Sequence, residues 1–368
     1  MEKLRFLEVD WLSYAQTAIY RPVLMRAVGE GFVPETFSFC RFPAPSLVLN
    51  FLNDPEKEID LEFCKKNKIP VYRVISSGGP IFGDTGYIFT FLHLKRSNPK
   101  VPANASKMFE KTLSGLAQGI SEHFNIECRF RPLNDVEVKC DDGQWRKIGP
   151  SSCVFEEKAV QMGSGIQVKA PDADLIASAI TAPPEKFADK EAKTIQDRIT
   201  YLEKAVGRPI DLKEVQEVYL NQIQEIFQVE LEPGQLTDQE SNYYREMERE
   251  YTDEDFFMER SERKFGQMPS GTIRKSVQFK VSGGPFIRII VFVEKNRIKD
   301  LLITGHFHAS PLRPTSPVHE IEKVLRGQLI NKDYFETEIE KILAREGFHI
   351  AGVSAQFLAQ KIYDCTRF

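Results

Sequence analysis

A glycine-rich stretch, RVISSGGPIFGDTGYIFTFLHL at positions 73–94, carries the residues best suited to binding an anion. Gly78 and Gly79 have no side chain beyond Cα, so a ligand can approach the backbone closely and meet its amide groups. The mostly apolar run that begins at Tyr87 predicts a buried strand directly after this loop. We predict a ligand-binding loop, with a plain glycine-rich hairpin as the alternative. The candidate contacts are Arg73, Ser76, Ser77, Gly78 and Gly79.

A second candidate group lies on a predicted hairpin between residues 126 and 148. The tripeptide DDG at 141–143 is a hairpin turn signal. Asn134 and Asp135 then lie on the first strand and Lys147 on the second, so their side chains come close to one another. They also approach the glycine-rich loop if these strands join the same sheet. A lysine placed there can stabilise negative charge in a transition state; a solvated lysine at a strand end is the alternative.

The composition predicts a cytoplasmic protein of about two domains. A length of 368 residues exceeds one ordinary core, and 42% hydrophobic residues can fill two. The net charge of −4 provides no general attraction to nucleic acid or to an anionic membrane. No stretch approaches the ~18 apolar residues of a membrane span, and early acidic residues exclude a signal or transit peptide. The cysteines form no CxxC pair, so we expect reduced thiols: Cys40, Cys64, Cys128, Cys140, Cys153 and Cys365.

Hydrophobic periodicity predicts the helices that flank these groups. A short helix begins near residue 11 and ends at Pro22, because proline interrupts a helix interior. A charged region from 230 to 265 with interleaved aromatic residues predicts a helix packed on a neighbour. An amphipathic helix follows a cap at Asn104 or Ser106. Its core-facing stripe comprises Phe109, Leu113, Leu116, Ile120 and Phe124.

The C-terminal part predicts a small antiparallel sheet with short helices. Strands are expected at 274–279, 286–294 and 298–304. His306 and His308 then lie on one strand face, a spacing that can serve a metal ion. The sequence provides no third ligand, which favours a structural role for both histidines.

Two of these motifs resemble those of the lipoate-protein ligases. ISSGGPIFGDTGY at 75–87 resembles the serine-glycine loop of that family, usually SGGGA followed by His-Asp and then Gly-Asn, and this adds Asp84 to the candidate site. Asn134 and Asp135, followed by a hairpin and then RKI at 146–148, resemble the Asn-Asp pair and the catalytic-lysine motif of the family.

The fold and domain organisation follow from the same resemblance. VLNFLNDPEKEID at 48–60 resembles the segment that lines the acyl pocket, and ITGHFH at 303–308 resembles a strand of the accessory domain. The resemblance implies an α+β protein with a mixed β-sheet catalytic domain of biotin/lipoate-ligase type and a small C-terminal α+β accessory domain. We expect the catalytic domain at 1–250, a linker at 251–263 and the accessory domain at 264–368.

Several positions depart from the family pattern. Ser77 replaces the first glycine of the loop, Pro80 replaces a small residue, and Gly83 stands where the family has its loop histidine. After the lysine, GPSS at 149–152 replaces Ser-Gly-Ser-Ala. These changes reshape the loops around the substrate, and we expect them to affect the choice of acyl chain more than the formation of an adenylate.

Lipoate-protein ligases activate an acid with ATP to an acyl-AMP and transfer the acyl group to a lysine of a carrier protein. The resemblance therefore implies ATP and Mg²⁺ as cofactors and lipoic or octanoic acid as the substrate. The implied partner is a lipoyl-carrier protein, such as the lipoyl domain of a dehydrogenase complex or a glycine-cleavage carrier. Lys147 would stabilise charge in both half-reactions, and Asp135 would hold the Mg²⁺ that bridges the phosphates. The glycine amides and Arg73 would meet the carboxylate or phosphate oxygens.

Two other functions stay open at the level of sequence. Related octanoyl- and amidotransferases use no ATP but a cysteine nucleophile on the strand before the Asn-Asp position. Cys128 lies close to that position, and Arg129 and Arg131 could lower its pKa. Against this, those enzymes keep the loop histidine, and Cys128 is out of register with their motif. A non-catalytic binder of lipoyl carriers, which Pro80 and Pro150 would permit, is the third function.

Overall fold

The computed structural model describes residues 2–9, 14–132, 134–181, 200–281 and 284–367, and its architecture is α+β, as predicted. The helices are α1 (Tyr14–Glu30), α2 (Pro55–Glu58), α3 (Leu61–Lys66), α4 (Ala105–Phe124), α5 (Ala173–Ala179), α6 (Leu202–Val206), α7 (Leu212–Phe227), α8 (Asp238–Tyr251), α9 (Glu254–Met258), α10 (Pro317–Leu325), α11 (Lys332–Leu343) and α12 (Ala355–Arg367). The strands are β1 (Glu2–Val9), β2 (Thr36–Arg41), β3 (Ser46–Asn50), β4 (Val71–Val74), β5 (Ile81–Gly83), β6 (Tyr87–Lys95), β7 (Cys128–Arg131), β8 (Asp135–Lys139), β9 (Trp145–Phe155), β10 (Ala159–Gln167), β11 (Val229–Pro233), β12 (Ile273–Lys280), β13 (Phe286–Glu294), β14 (Arg297–His306), β15 (Ala309–Ser310) and β16 (His349–Ile350).

The largest sheet has eight strands in the order β11-β1-β2-β6-β10-β9-β8-β7. Strand β1 runs parallel to β11 and β2, and the other neighbours are antiparallel. Strand β6 lies inside this sheet, and its residues from Tyr87 to Leu94 are all buried. Alternate side chains of β6 enter two separate apolar clusters, one on each face of the sheet. The apolar run after the glycine loop is therefore the buried strand that the sequence predicts.

Helices α4 and α7 cover one face of this sheet. The predicted stripe of α4 is buried along its whole length, from Phe109 to Phe124. Asn104 is the N-cap of α4, and its side-chain oxygen accepts a hydrogen bond from the backbone N–H of Lys107 at 3.0 Å. Helix α7 adds Val215 and other apolar residues to the same core. The sheet and these two helices form a rigid base for the strands that carry the candidate site.

A three-stranded sheet of order β4-β3-β5 carries the glycine-rich loop between β4 and β5. Strand β3 runs parallel to β4 and antiparallel to β5. Leu47 and Leu49 of β3 are buried beside Phe82 and the apolar residues of α3 and α5. After β3 the chain turns into α2, where Asp54 caps the helix by accepting a hydrogen bond from the N–H of Glu56 at 3.0 Å.

The C-terminal part contains the predicted antiparallel sheet, in the order β12-β13-β14. Buried residues of β13 and β14 pack against α10, α11 and α12. The same apolar cluster includes Phe51, Leu52 and Phe256, which precede the C-terminal sheet in the chain. The core of the C-terminal part is thus continuous with side chains of the N-terminal part, and this contact positions β14 beside the glycine-rich loop.

Helix α1 differs from the sequence prediction because it continues through Pro22 to Glu30. Proline lacks the N–H of one helical hydrogen bond, which costs about 3 kcal/mol in a helix interior. The second half of α1 nevertheless buries Val23, Ala27 and Val28 completely. Burial of several apolar side chains, at about 1.5–3 kcal/mol for each large one, outweighs the lost bond.

The residues between the two predicted domains are packed. Helix α8 ends at Tyr251, and α9 and a 3₁₀ helix (Glu262–Phe265) follow it. Arg260 is fully buried, and its guanidinium donates to the carboxylate of Glu322 at 3.0 and 2.6 Å. The division at 250 and 264 stays a prediction. Across the described ranges, none of the helices combines the length and apolar character that a bilayer span needs.

Candidate active site

A cavity of about 350 Å³ opens where the glycine-rich loop, the β8–β9 hairpin and the C-terminal sheet meet. This volume lies in the range of small-molecule binding sites. Both polar and apolar side chains line it, so it can hold a ligand that has an apolar chain and a charged end. Six of the nine predicted site residues line the cavity: Ser77, Gly78, Gly79, Asn134, Asp135 and Lys147.

Two asparagines hold the carbonyl groups of the glycine-rich loop. Asn50 Nδ2 donates to the carbonyl of Gly79 at 2.7 Å, and Asn53 Nδ2 donates to the carbonyl of Gly78 at 2.8 Å. Gly78 has a φ of +111°, a conformation that residues with a Cβ rarely adopt. The N–H groups of Gly78 and Gly79 find no acceptor within the described ranges. With the carbonyls engaged, these two amides are available to an anion in the cavity.

Lys147 and Asp135 form an ion pair across the hairpin. Their side chains are 25% and 18% exposed, so the pair lies at the edge of solvent. The register of the β8–β9 pair shifts between Val136 and Glu137, which makes Ile148 an extra residue on β9. Such a bulge redirects the neighbouring side chains. Here it accompanies the turn of Lys147 towards the cavity and Asp135.

Asn134 supports this arrangement from the first strand of the hairpin. Its side-chain Nδ2 donates to the carbonyl of Ser151 on β9 at 2.6 Å. This bond holds the start of β8 against β9 beside the ion pair. The predicted proximity of Asn134, Asp135 and Lys147 is therefore confirmed, and their roles towards a ligand stay predictions.

The structure does not bring Arg73 to the cavity. Its guanidinium is buried, and it donates to the backbone carbonyls of Phe51 at 2.7 Å, Asn53 at 3.0 Å and Phe257 at 2.8 Å. Burial, and next the charge of Arg260, lower the pKa of Arg73 to about 9. Arg73 lies on β4, next to β3, and its side chain points into the protein interior and not into the cavity. The predicted contact of Arg73 with ligand oxygens is corrected to a structural contact with the segment after β3.

Ser76 and Asp84 also lie away from the cavity lining. Ser76 is fully buried, and its carbonyl accepts a hydrogen bond from the N–H of Phe51 at 2.9 Å. The carboxylate of Asp84 accepts from the N–H of Gly86 at 2.9 Å and from Gln167 Nε2 at 3.2 Å. Burial raises the pKa of Asp84. Both residues shape the two ends of the loop, and neither has the predicted contact with the cavity.

The model of the family described as lipoyl protein ligase A/B catalytic domain matches residues 13–224, more than half of the chain. The protein belongs to this family. It is therefore an enzyme of the lipoate ligase and octanoyltransferase family, and the resemblance found in the sequence is confirmed.

Relatives of this lipoyl protein ligase family member are named either as lipoate-protein ligases or as octanoyltransferases. Lipoate-protein ligase A subunit 1 of Thermoplasma acidophilum is 23% identical over 220 residues, which cover 58% of this chain and 80% of that protein. Octanoyltransferase LipM of Brevibacillus brevis is 22% identical over 267 residues, covering 68% and 96%. Lipoate–protein ligase 1 of Staphylococcus aureus is 21% identical over 298 residues, covering 81% and 82%. Family membership by itself does not decide whether this protein is a lipoate-protein ligase or an octanoyltransferase.

Solved structures show that this family member has the lipoate-ligase fold. P. falciparum LipL1 in complex with lipoate aligns over 98% of both chains with a TM-score of 0.68 and 12% identity. A lipoate protein ligase from Thermoplasma acidophilum, described with its E2 lipoyl domain, covers 70% of this chain and 96% of its own, with a TM-score of 0.60 and 21% identity. The long alignment with LipL1 includes the C-terminal part, whereas the catalytic-domain model ends at residue 224.

Two glycines explain where this chain departs from the family motifs. A Cβ added to Gly83 would lie 2.5 Å from the ring of Phe42, so a histidine at this position would require that ring to move. A Cβ added to Gly149 would lie 1.8 Å from the carbonyl oxygen of Gly165 on β10. Close approach of the backbones of β9 and β10 therefore requires glycine directly after the lysine motif.

The six cysteines all lie within the described ranges as free thiols, and none is among the lining residues of the cavity there. Cys128 is half-buried on β7, where its N–H donates to Ser121 Oγ at 3.0 Å. Burial raises the pKa of the Cys128 thiol to about 12, which opposes formation of a thiolate. Arg129 and Arg131, which could have lowered this pKa, instead contact Glu137 at 2.8 and 2.9 Å.

Residues of the C-terminal part complete the cavity, although the sequence favoured only a structural role for the two histidines among them. His306, Phe307 and His308 all line the cavity. The structural role fits His306, whose Nε2 lies 2.6 Å from Glu58 Oε2. The Nδ1 atom of His308 is buried and makes no hydrogen bond within the described ranges. The period of two between the histidines was the sequence signal that could have placed both at one site.

Proposed function

We propose that this protein is an ATP-dependent lipoate-protein ligase. It converts lipoate, or a related acid such as octanoate, to an acyl-AMP and transfers the acyl group to a lysine of a lipoyl-carrier protein. One observation carries the proposal. The described lining residues of the cavity combine the Lys147–Asp135 pair with the amides of Gly78 and Gly79, which meet no acceptor in the described ranges, and include no cysteine.

These groups suit the activation of a carboxylate. Attack of the carboxylate on the α-phosphorus of ATP places negative charge on phosphate oxygens and on the departing pyrophosphate. The ammonium of Lys147 and the amides of Gly78 and Gly79 supply positive charge and N–H dipoles for those oxygens. Because hydrogen bonds to Asn50 and Asn53 hold the loop beforehand, little reorganisation is needed during the reaction. Lys147 would act again when AMP leaves in the transfer step.

The donor set of the cavity also suits one Mg²⁺ ion brought in with ATP. Asp135 is the one carboxylate among the described lining residues. Within the described ranges, no cluster of three His, Cys, Asp or Glu side chains forms a separate metal site. Magnesium is commonly held by one or two carboxylates together with phosphate oxygens and water, so Asp135 suffices. Bound there, the ion would neutralise phosphate charge, and Lys147 would exchange its contact with Asp135 for one with the nucleotide.

The remainder of the cavity suits an acyl chain. Ile81, Phe82, Ile176 and Ile180 are among its lining residues, and they present apolar surface. P. falciparum LipL1, a structural neighbour, is described in complex with lipoate, and another neighbour is a lipoate-protein ligase A bound with ATP. The Thermoplasma acidophilum ligase is described with an E2 lipoyl domain. These descriptions support lipoate, ATP and a lipoyl domain as the substrates to test.

The ATP-independent transferase is the second candidate, because several relatives are octanoyltransferases named LipM. That route needs a thiolate at the acyl carbon. Cys128, the cysteine with the best sequence position, lies outside the cavity lining and has a raised pKa. The chemistry of the cavity therefore favours the adenylate route.

An acid-dependent exchange of pyrophosphate into ATP tests the proposal. The purified protein is incubated with ATP, Mg²⁺ and labelled pyrophosphate, with lipoate, octanoate, shorter and longer fatty acids, or no acid. We expect exchange that depends on an acid of suitable length. Absence of exchange with every acid, combined with acyl transfer from an octanoyl thioester carrier, would establish the transferase instead.

A further inference from the structure

The side-chain amide of Asn53 bonds three separate segments at once. Its Oδ1 accepts a hydrogen bond from the N–H of Asn50, the last residue of β3, at 2.9 Å. Its Nδ2 donates to the carbonyl of Gly78 in the glycine-rich loop at 2.8 Å and to the carbonyl of Gly305 on β14 at 2.8 Å. A primary amide has two N–H donors, and both are used here. Asn53 is also fully buried, so bonds on three sides fix the orientation of its side chain.

The C-terminal sheet takes part in orienting this amide. The N–H of Gly305 donates to the carbonyl of Leu52 at 2.9 Å, so Gly305 is bonded to the segment after β3 through both its N–H and its carbonyl. Its φ is +142°, and a Cβ added there would lie 2.3 Å from the carbonyl oxygen of Phe286, so this position requires glycine. Because one hydrogen of Asn53 Nδ2 is committed to β14, the other is directed at the carbonyl of Gly78.

The carbonyl that Asn53 holds belongs to the same peptide group as the N–H of Gly79. A trans peptide group is planar, and its C=O and N–H point in opposite directions. The peptide between Gly78 and Gly79 is trans. The hydrogen bond to the carbonyl of Gly78 therefore also fixes the direction of the Gly79 N–H, which is turned away from Asn53. This N–H meets no acceptor within the described ranges.

Asn50 holds the next carbonyl of the loop without orienting a donor. Its Nδ2 donates to the carbonyl of Gly79 at 2.7 Å, but that peptide group continues into Pro80, which has no N–H. The ring of His306 packs against the same backbone, since a Cβ added to Gly79 would lie 3.3 Å from its Cγ. Of the two asparagines, Asn53 is therefore the one whose hydrogen bond determines where an anion can meet an N–H of the loop.

We propose that Asn53 is a positioning residue of the candidate active site, an inference that rests on the proposed ligase function. It holds the peptide between Gly78 and Gly79 so that the N–H of Gly79 donates to an anionic oxygen of the ligand, either of the nucleotide phosphates or of the acid carboxylate. Gly79 lines the cavity and Asn53 does not, so Asn53 acts on the ligand through this peptide. Without its hydrogen bond the peptide can rotate, and the N–H is no longer preorganised for the anion.

Pairs of ligands that differ in charge test this role. The affinities of the native protein and of Asn53→Ala are measured by calorimetry for ATP with Mg²⁺ and adenosine, and for lipoate and lipoamide. We expect Asn53→Ala to weaken the binding of ATP or of lipoate roughly 10- to 100-fold, the scale of one hydrogen bond to a charged group. The neutral member of the affected pair should stay within about twofold of native. The affected pair identifies the anionic oxygen as that of a phosphate or of the carboxylate.

Two further variants separate positioning from stability, and all titrations are made at a temperature where each variant is folded. Arg73→Lys loses hydrogen bonds to the carbonyls of Phe51 and Asn53 outside the cavity lining, so its ratio of anionic to neutral affinity should stay native. Asn53→Ser removes the amide but keeps a hydroxyl, and it should show the same selective loss if Asn53→Ala does not fold.

The outcomes for Asn53 and for the ligase function are distinguishable. Equal weakening of the anionic and neutral ligands by the Asn53 variants, or native affinities for both ATP and lipoate, would overturn the inference. Absence of acid-dependent pyrophosphate exchange in the native protein would reject the ligase function, whereas the comparison of lipoate with lipoamide would still test Asn53.

Discussion

Glu58 of α2 accepts a hydrogen bond from His306 of β14, with 2.6 Å between Oε2 and Nε2. Both side chains are buried, and Arg288 of β13 contacts the other carboxylate oxygen at 3.0 Å. Burial alone would raise the pKa of Glu58, but His306 and Arg288 outweigh it and lower the pKa to about 2. A buried carboxylate held by a histidine and an arginine thus joins the N-terminal part to the C-terminal sheet beside the cavity.

This contact predicts an acid-sensitive contribution to stability. The pKa of Glu58 in the folded protein lies below its ordinary value of 4.5, so its contribution is complete above about pH 4.5 and disappears as the pH falls towards 2. The contribution is on the order of 3 kcal/mol at neutral pH. Urea unfolding at several pH values should show Glu58→Gln destabilised at pH 7 and approaching the native protein near pH 2.5. Glu62→Gln, an exposed change on α3, should follow the native curve throughout. A constant difference between the native protein and Glu58→Gln across this range would contradict the prediction.

Lys147 is predicted to be essential for adenylate formation. Lys147→Ala should reduce lipoate-dependent pyrophosphate exchange by roughly two to three orders of magnitude, the scale of losing one electrostatic contact in a transition state. The fold should survive, because this side chain lies at the edge of solvent. Lys139→Ala is a matched control, since Lys139 lies on the same hairpin, outside the cavity lining, and pairs with the exposed Glu127. Exchange near the native rate in Lys147→Ala would show that Lys147 is not needed for adenylate formation.

Cys128 is predicted to be dispensable. Its thiol lies outside the cavity lining and its pKa is about 12, so Cys128→Ser should transfer the acyl group at close to the native rate. Intact-protein mass spectrometry during turnover should show no acyl group on the enzyme. An acyl-Cys128 species that forms and decays at the rate of turnover would reverse the choice between ligase and transferase.

Ser77 is predicted to influence the choice of acid. Its side chain lies in the cavity lining directly before Gly78, where the lipoate-protein ligase motif has glycine. Ser77→Gly removes a hydroxyl and a Cβ from the space beside the ligand, so the ratio of kcat/KM for octanoate and lipoate should change. The KM for ATP should change less than this ratio. Unaltered selectivity across the panel of acids would show that Ser77 does not contact the acyl substrate.

Arg73 is predicted to act through stability. Arg73→Lys keeps the charge but loses the planar group that donates to the carbonyls of Phe51, Asn53 and Phe257. Loss of two or more buried hydrogen bonds to a charged group should lower the free energy of unfolding by about 2–4 kcal/mol. At a temperature where the variant is fully folded, the KM values for acid and ATP should stay within about threefold of native. A native melting temperature combined with a large rise in either KM would indicate that Arg73 contacts the acid or ATP.

The sequence by itself determined the parts of the site whose signals are local. Two successive glycines predicted the loop, and the DDG turn predicted that Asp135 and Lys147, which are 12 positions apart, would meet. The apolar period of α4 and the cap at Asn104 were readable for the same reason. Each of these features depends on neighbours within a few turns of chain, where residue type and spacing restrict the backbone directly.

Only the tertiary structure decided the direction of Arg73 and the residues that close the cavity. Glu58 and His306 are 248 positions apart, and no periodicity or turn signal reports such a contact. It forms because Phe51 and Leu52 pack into the apolar core of the C-terminal sheet, which brings β14 against the glycine-rich loop. Many sequences share the apolar pattern of these strands and helices, whereas the fit between two particular surfaces depends on the shapes of all the side chains at once. Packing between the two parts, and not a motif, therefore places His306 and His308 in the lining of the cavity that also contains Lys147 and Asp135.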